Sequence, residues 1–278
     1  MSEQELNSNQ PEQNAAQDQE ETELGFTDKI VGIFSEPSKT YSKVAAFPLK
    51  YSDWIVPYLL FFILLAVSNL VIMSNPDIKY QVKQKQKEVF EKRLADEVNA
   101  KKITPDAANQ QREQMEKQMA MMDSPFVAAI TFVSTLIFGF IVIFIVVGYF
   151  YLFARFVFKD EISYTAALIA NGLTSYIGII SIIVATGLSL VFGRAVKDIS
   201  VASLMNIEGG TVVYYLLSKI DVITIWSYFV FSLGLIKLSK TDKPAKYYGL
   251  VFGSWIGWSL LFFILSQFIP FFKSFTGN

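Results

Sequence analysis

The 278-residue chain contains neither cysteine nor histidine. That excludes disulfides, thiolate nucleophiles, Cys/His zinc sites, Ser-His-Asp triads and histidine proton relays. A strong net charge is missing as well. The 24 Lys/Arg and 25 Asp/Glu leave a formal −1, without the basic excess of a nucleic-acid binder. Charge is also scarce in the second half, where residues 125–278 hold 10 Lys/Arg and 6 Asp/Glu and the other 33 charges precede them. Within residues 125–154 there is none, and the run PFVAAITFVSTLIFGFIVIFIVVGYFYLFA is apolar on every face. A bilayer core of about 30 Å needs roughly 20 such residues in a helix. This stretch predicts a transmembrane helix, and lipid becomes the reference solvent for the rest.

Residues 1–24 are rich in Gln, Asn and Glu and nearly devoid of large apolar side chains. Such a segment cannot offset its ordering entropy, which predicts a disordered acidic tail, a solvated leader or a docking tail. It also lacks the basic start and apolar core of a secretory signal, so targeting is expected from the first span. Residues 25–53 predict two short helices, the first capped by Thr27 or Asp28 and the second opened by Pro37. Tyr41, Val44, Ala45 and Phe47 accompany Lys39, Lys43 and Lys50 there. That mixture fits either a helix at the headgroup level or a connector packed on the bundle.

The remainder, 54–278, predicts an all-α polytopic bundle of five spans at 54–74, 125–154, 164–192, 221–238 and 247–272. In the first, Trp54 and Tyr58 suit the interface, and Ser68 and Asn69 are expected to bond to a neighbouring helix. Residues 75–124 carry 10 Lys/Arg and 9 Asp/Glu. Ile78, Val82, Val89, Phe90, Leu94 and Val98 keep a helical spacing, and Thr104-Pro105 breaks and restarts it. The expectation is an extramembrane antiparallel helical hairpin with a solvated charged face and a Met115/Met119/Met122 packing stripe. Residues 193–219, broken at Glu208-Gly209-Gly210, predict a surface loop with short helical pieces.

Two small-residue spacings stand out. The third span carries Ala166, Ala170, Thr174 and Gly178, and the fifth carries Gly249, Gly253 and Gly257. Small residues four apart let helices approach closely in lipid, so both series predict helix packing. The expected partner of the glycine ridge is the small face of the third span, with dimerisation through a second copy as the alternative.

Span centres hold no ionisable residue; Asp53, Asp160, Glu161 and Asp221 lie at edges. A buried intramembrane charge costs at least about 3 kcal/mol and usually marks function, so no catalytic, cofactor or metal-binding residue is expected. A conduit would have to use Asn69, Asn171, Thr174 and Ser175. Short-loop lysine and arginine bias (Lys39, Lys43, Lys50, Arg155, Lys159 and the turn Lys237, Lys240, Lys243, Lys246) predicts a cytoplasmic N-terminus.

The stretch SKIDVITIWSYFVFSLGL, with Asp221, Ile225 and Trp226, resembles the signature of the Yip family of Ypt/Rab-interacting membrane proteins. FSEPSKTYSKV around Pro37 and FVFKDEISYTAALIANGL at the start of the third span are similar to further family segments. The resemblance covers roughly residues 30–270, although the third span lacks the family's proline kink. It implies a five-span fold with a cytoplasmic N-terminus and, in eukaryotic relatives, association with Rab-type GTPases. The long charged hairpin resembles prokaryotic members, which implies a prokaryotic plasma membrane. The expected function is a non-enzymatic scaffold that recruits protein partners at the bilayer and can form homo-oligomers. The alternative is a small-solute or ion conduit.

Overall fold

The computed structural model describes residues 22–122, 124–207 and 209–269. The expected tail therefore lies outside the described residues up to position 21, as does the end of the fifth span beyond 269. All regular structure among the described residues is helical: α1 (Phe26–Ser35), α2 (Pro37–Ala46), α3 (Ser52–Ser74), α4 (Pro76–Asn99), α5 (Pro105–Met121), α6 (Pro125–Leu152), α7 (Tyr164–Phe192), α8 (Val201–Leu204), α9 (Val212–Leu217), α10 (Val222–Leu238) and α11 (Ala245–Phe268). Four helices are long and apolar enough to cross a bilayer: α3, α6 with the π-helical turn Phe153–Val157 that prolongs it, α7 and α11. The protein is thus a multi-pass membrane protein by length and composition. At 17 residues α10 is apolar but shorter, about 25 Å at 1.5 Å per residue.

Helix starts follow local chemistry. Proline occupies the first turn of α2, α4, α5 and α6, where its missing N–H costs nothing. Side chains of Asn75, Thr104, Ser124, Ser163 and Asp221 accept the first free amides of α4, α5, α6, α7 and α10. The start of α1 differs from expectation: Gly25 is the cap, and Asp28 reaches back to accept its N–H at 3.1 Å.

The core is centred on α7, which packs most extensively against α3 and then α10. The N-terminal helices join this centre, α1 against α7 and α2 against α10. The other two long apolar helices are peripheral. Buried side chains of α6 are confined to Val147 and Phe150, and those of α11 to Tyr247, Val251 and Ser266. Helices α4 and α5 run antiparallel, with Arg112 Nε donating to Glu91 at 2.8 Å and Lys87 facing Glu116 at 3.7 Å.

Candidate functional site

The most closely built region lies where α1 and α2 meet the first turns of α3 and α7. Lys29 of α1 is 6 % exposed, and its ammonium donates to both carboxylate oxygens of Asp53 at 2.7 and 2.8 Å. Next to them Lys50 donates to Glu23 at 2.7 Å, and this bond holds the Glu23 carboxyl below its ordinary range. Residue 23, placed in the tail by composition, is thus tied to the bundle. Two ion pairs pin the N-terminal segment across the start of α3.

Tyr41 extends the attachment inward. Pro37 opens α2 and is buried, and one turn later Tyr41 is fully buried. The Tyr41 hydroxyl donates to the Ala170 carbonyl at 2.6 Å and meets Thr174 Oγ1 at 3.0 Å. Its ring needs Gly234 of α10, because a β-carbon there would stand 2.8 Å from the Tyr41 ring and 3.0 Å from the Ala170 methyl. Ala170 and Thr174 of the small-residue series therefore receive a side chain of α2, and Ala170 meets α10 as well.

Further along the series the contact turns to α3. Ala166 is buried, and Gly178 faces the Phe61 ring at 2.8 Å from its would-be β-carbon. Gly172, between the series positions, makes the closest approach: a β-carbon there would sit 2.7 Å from the Trp54 Cα. Hydroxyls and an amide complete the contact. Tyr58 donates to Asn171 Oδ1 at 2.9 Å, and Ser68 bonds to Thr186. Ser68 thus bonds across helices as its position in lipid predicts, whereas Asn69 is exposed on the outer side. Ser175 donates to the Gly172 carbonyl within its own helix.

The glycine ridge of α11 departs from expectation. Gly249, Gly253 and Gly257 meet no neighbouring atom within 4 Å of a would-be β-carbon. They line an open groove of about 400 Å³ with Tyr149, Leu250, Ser254, Trp258 and Leu261. The expected packing against Ala166, Ala170, Thr174 and Gly178 is therefore corrected. That face of α7 is already filled by α2, α3 and α10, and α11 is held instead by the Tyr149–Ser254 hydroxyl pair, by Tyr228 of α10 against Phe252 and Trp255, and at its first turn. There Asp160 accepts from Lys246 and from the Tyr247 hydroxyl, both at 2.7 Å, and Lys246 lies over the Phe158 ring.

In the fourth segment, Asp221 is buried, its Oδ1 accepting the Thr224 N–H at 3.0 Å and its Oδ2 the Thr224 hydroxyl at 2.9 Å. It caps α10 as its position predicts. Ile225 and Trp226 point outward, and Trp226 stacks on Phe229 at 5.4 Å. Among the described residues no group of three Asp/Glu side chains is arranged to hold a metal ion. Sequence reasoning missed Lys29, Gly172 and Gly234. A lysine amid the apolar positions of α1 and glycines inside spans were the available signals.

No family model, curated protein or solved structure matches the chain.

Proposed function

We propose that the chain is a Yip-type membrane protein with five crossings that acts without catalysis, as a scaffold organising partners at a bilayer. The observation that carries this reading is the use made of polar side chains within the spans. Tyr41 with Thr174, Tyr58 with Asn171, and Ser68 with Thr186 each join one helix to another. Groups spent on helix–helix bonds serve a fixed platform. In this reading α10 is the fifth crossing, its shortness met by local thinning of the bilayer. The N-terminus and the lysine turn face the cytoplasm of a prokaryote, and α4 with α5 forms the extramembrane arm on the other side. The partners are lipid and at least one protein, GTPase-type by the Yip resemblance alone. The open glycine ridge suits close approach by a second copy.

Flux from liposomes containing the purified protein tests the scaffold against a conduit. The scaffold reading expects no solute-selective leak above protein-free liposomes, and one reproducible crosslinked partner in cells. Selective flux overturns it. Orientation is read separately by an impermeant thiol reagent on intact cells carrying Lys243→Cys, where labelling contradicts a cytoplasmic lysine turn.

A further inference from the structure

Between the loop after α7, the short helix α9 and the last turns of α11 lies a second cavity of about 230 Å³. Its lining combines Asp198, Tyr214, Ser218, Lys219, Ser259 and Phe263. Lys219 is half-buried, and its ammonium lies over the rings of Tyr215 at 5.2 Å and Trp255 at 5.8 Å. Among the described residues it has no carboxylate within ion-pair distance. Burial lowers its pKa, while the nearby Asp198 acts in the opposite direction; burial, and after it the same carboxylate, raises Tyr214. Asp198 Oδ1 accepts from the backbone and hydroxyl of Ser200, and Oδ2 accepts no hydrogen bond among the described residues. The cavity thus presents an ammonium and a carboxylate that stop short of pairing with each other, among hydroxyls and aromatic rings.

Two features locate its mouth at the bilayer surface. Helix α9 exposes Val212, Val213 and Leu216 beside the cavity, as an interfacial segment does. Lys219 itself stands two residues before Asp221, the cap from which the apolar α10 departs. The volume is below the roughly 300–1,000 Å³ of sites for drug-sized ligands, which suits a compact headgroup. A pocket holding one group of each sign selects a ligand with both signs, since a lone anion leaves Asp198 opposed and a lone cation leaves Lys219 opposed.

We propose that this cavity binds a phosphate ester bearing an ammonium group, with Lys219 on the phosphate and Asp198 on the ammonium. Phosphatidylethanolamine and free phosphoethanolamine share that chemistry. This site goes beyond the scaffold reading and stands whether or not the protein recruits a partner.

The test is titration of the purified full chain in detergent, followed by thermal unfolding and native mass spectrometry. Short-chain phosphatidylethanolamine, phosphatidylglycerol of the same chain length and phosphoethanolamine are the three probes. The site expects a concentration-dependent rise in Tm with phosphatidylethanolamine and at least tenfold weaker binding of phosphatidylglycerol. Matching affinity for phosphoethanolamine assigns recognition to the headgroup alone, and its failure to bind assigns the lipid as the source. Lys219→Gln and Asp198→Asn should each weaken phosphatidylethanolamine at least tenfold while leaving the ligand-free Tm in place. Equal binding of the two lipids to the unaltered protein, or no binding of phosphatidylethanolamine, overturns the proposal without recourse to variants. Undiminished binding by a folded form of either variant overturns it too.

Discussion

Helices α7 and α11 are both long, apolar and dotted with small residues, yet they occupy opposite situations. Along α7 a dozen residues are buried, and its glycines at 172 and 178 receive α3 at contact distance. Along α11 three residues are buried, and its three evenly spaced glycines open onto a groove. The difference teaches that a small-residue spacing permits close approach without determining what approaches. On α7 the permission is used because aromatic residues of α2 and α3 fit it: Tyr41 at Ala170, Trp54 against Gly172, Phe61 against Gly178. No such complement stands opposite the ridge on α11.

The largest expected effect falls on the packed side. Lys29→Met leaves the Asp53 carboxylate buried without its partner, and breaking a buried pair this way costs about 3–5 kcal/mol. Unfolding in detergent should lose that much, and Lys29→Met with Asp53→Leu should recover most of it. If the single variant unfolds like the unaltered protein, the ion pair is not what fastens α1. Next comes Gly172→Leu, which must displace the α3 backbone at Trp54 and is expected to cost about 3 kcal/mol, the upper end for overpacking. Loss of folded yield on size exclusion is its readout. Tyr41→Phe should cost about 1 kcal/mol, one hydrogen bond, because the Ala170 carbonyl keeps the Thr174 hydroxyl at 2.8 Å. Smallest is Gly253→Leu, whose side chain enters open space; the unfolding free energy should stay within about 0.5 kcal/mol of the parent, as for substitutions away from packed features. A loss as large as that of Gly172→Leu would erase the distinction between the two helices.

Much of this was legible in the residues. Uncharged runs announced the long helices, and Thr104-Pro105 and Asp221 announced starts that the side-chain caps bear out. Hydrophobicity could not reveal which face of each helix is covered, because α6 and α11 are as uniformly apolar as helices deep in the bundle, and lipid accepts any such face. Glycine spacing pointed to α11, whereas the close approach of one long helix to another's backbone rests on Gly172, a single glycine in no repeat. The anchoring of α1 was hidden for a related reason. Lys29 and Asp53 are 24 positions apart, and nothing in the intervening sequence signals that α1 folds back onto α3.

Absence of native cysteine makes the decisive measurement clean. Two double variants are oxidised side by side in membranes, Ser68→Cys with Thr186→Cys and Ala170→Cys with Gly253→Cys. Crosslinking within one chain for the first pair and none for the second is the predicted result. An intramolecular crosslink between positions 170 and 253, with none between 68 and 186, would contradict the arrangement in which α7 is packed against α3 while the α11 ridge stays open.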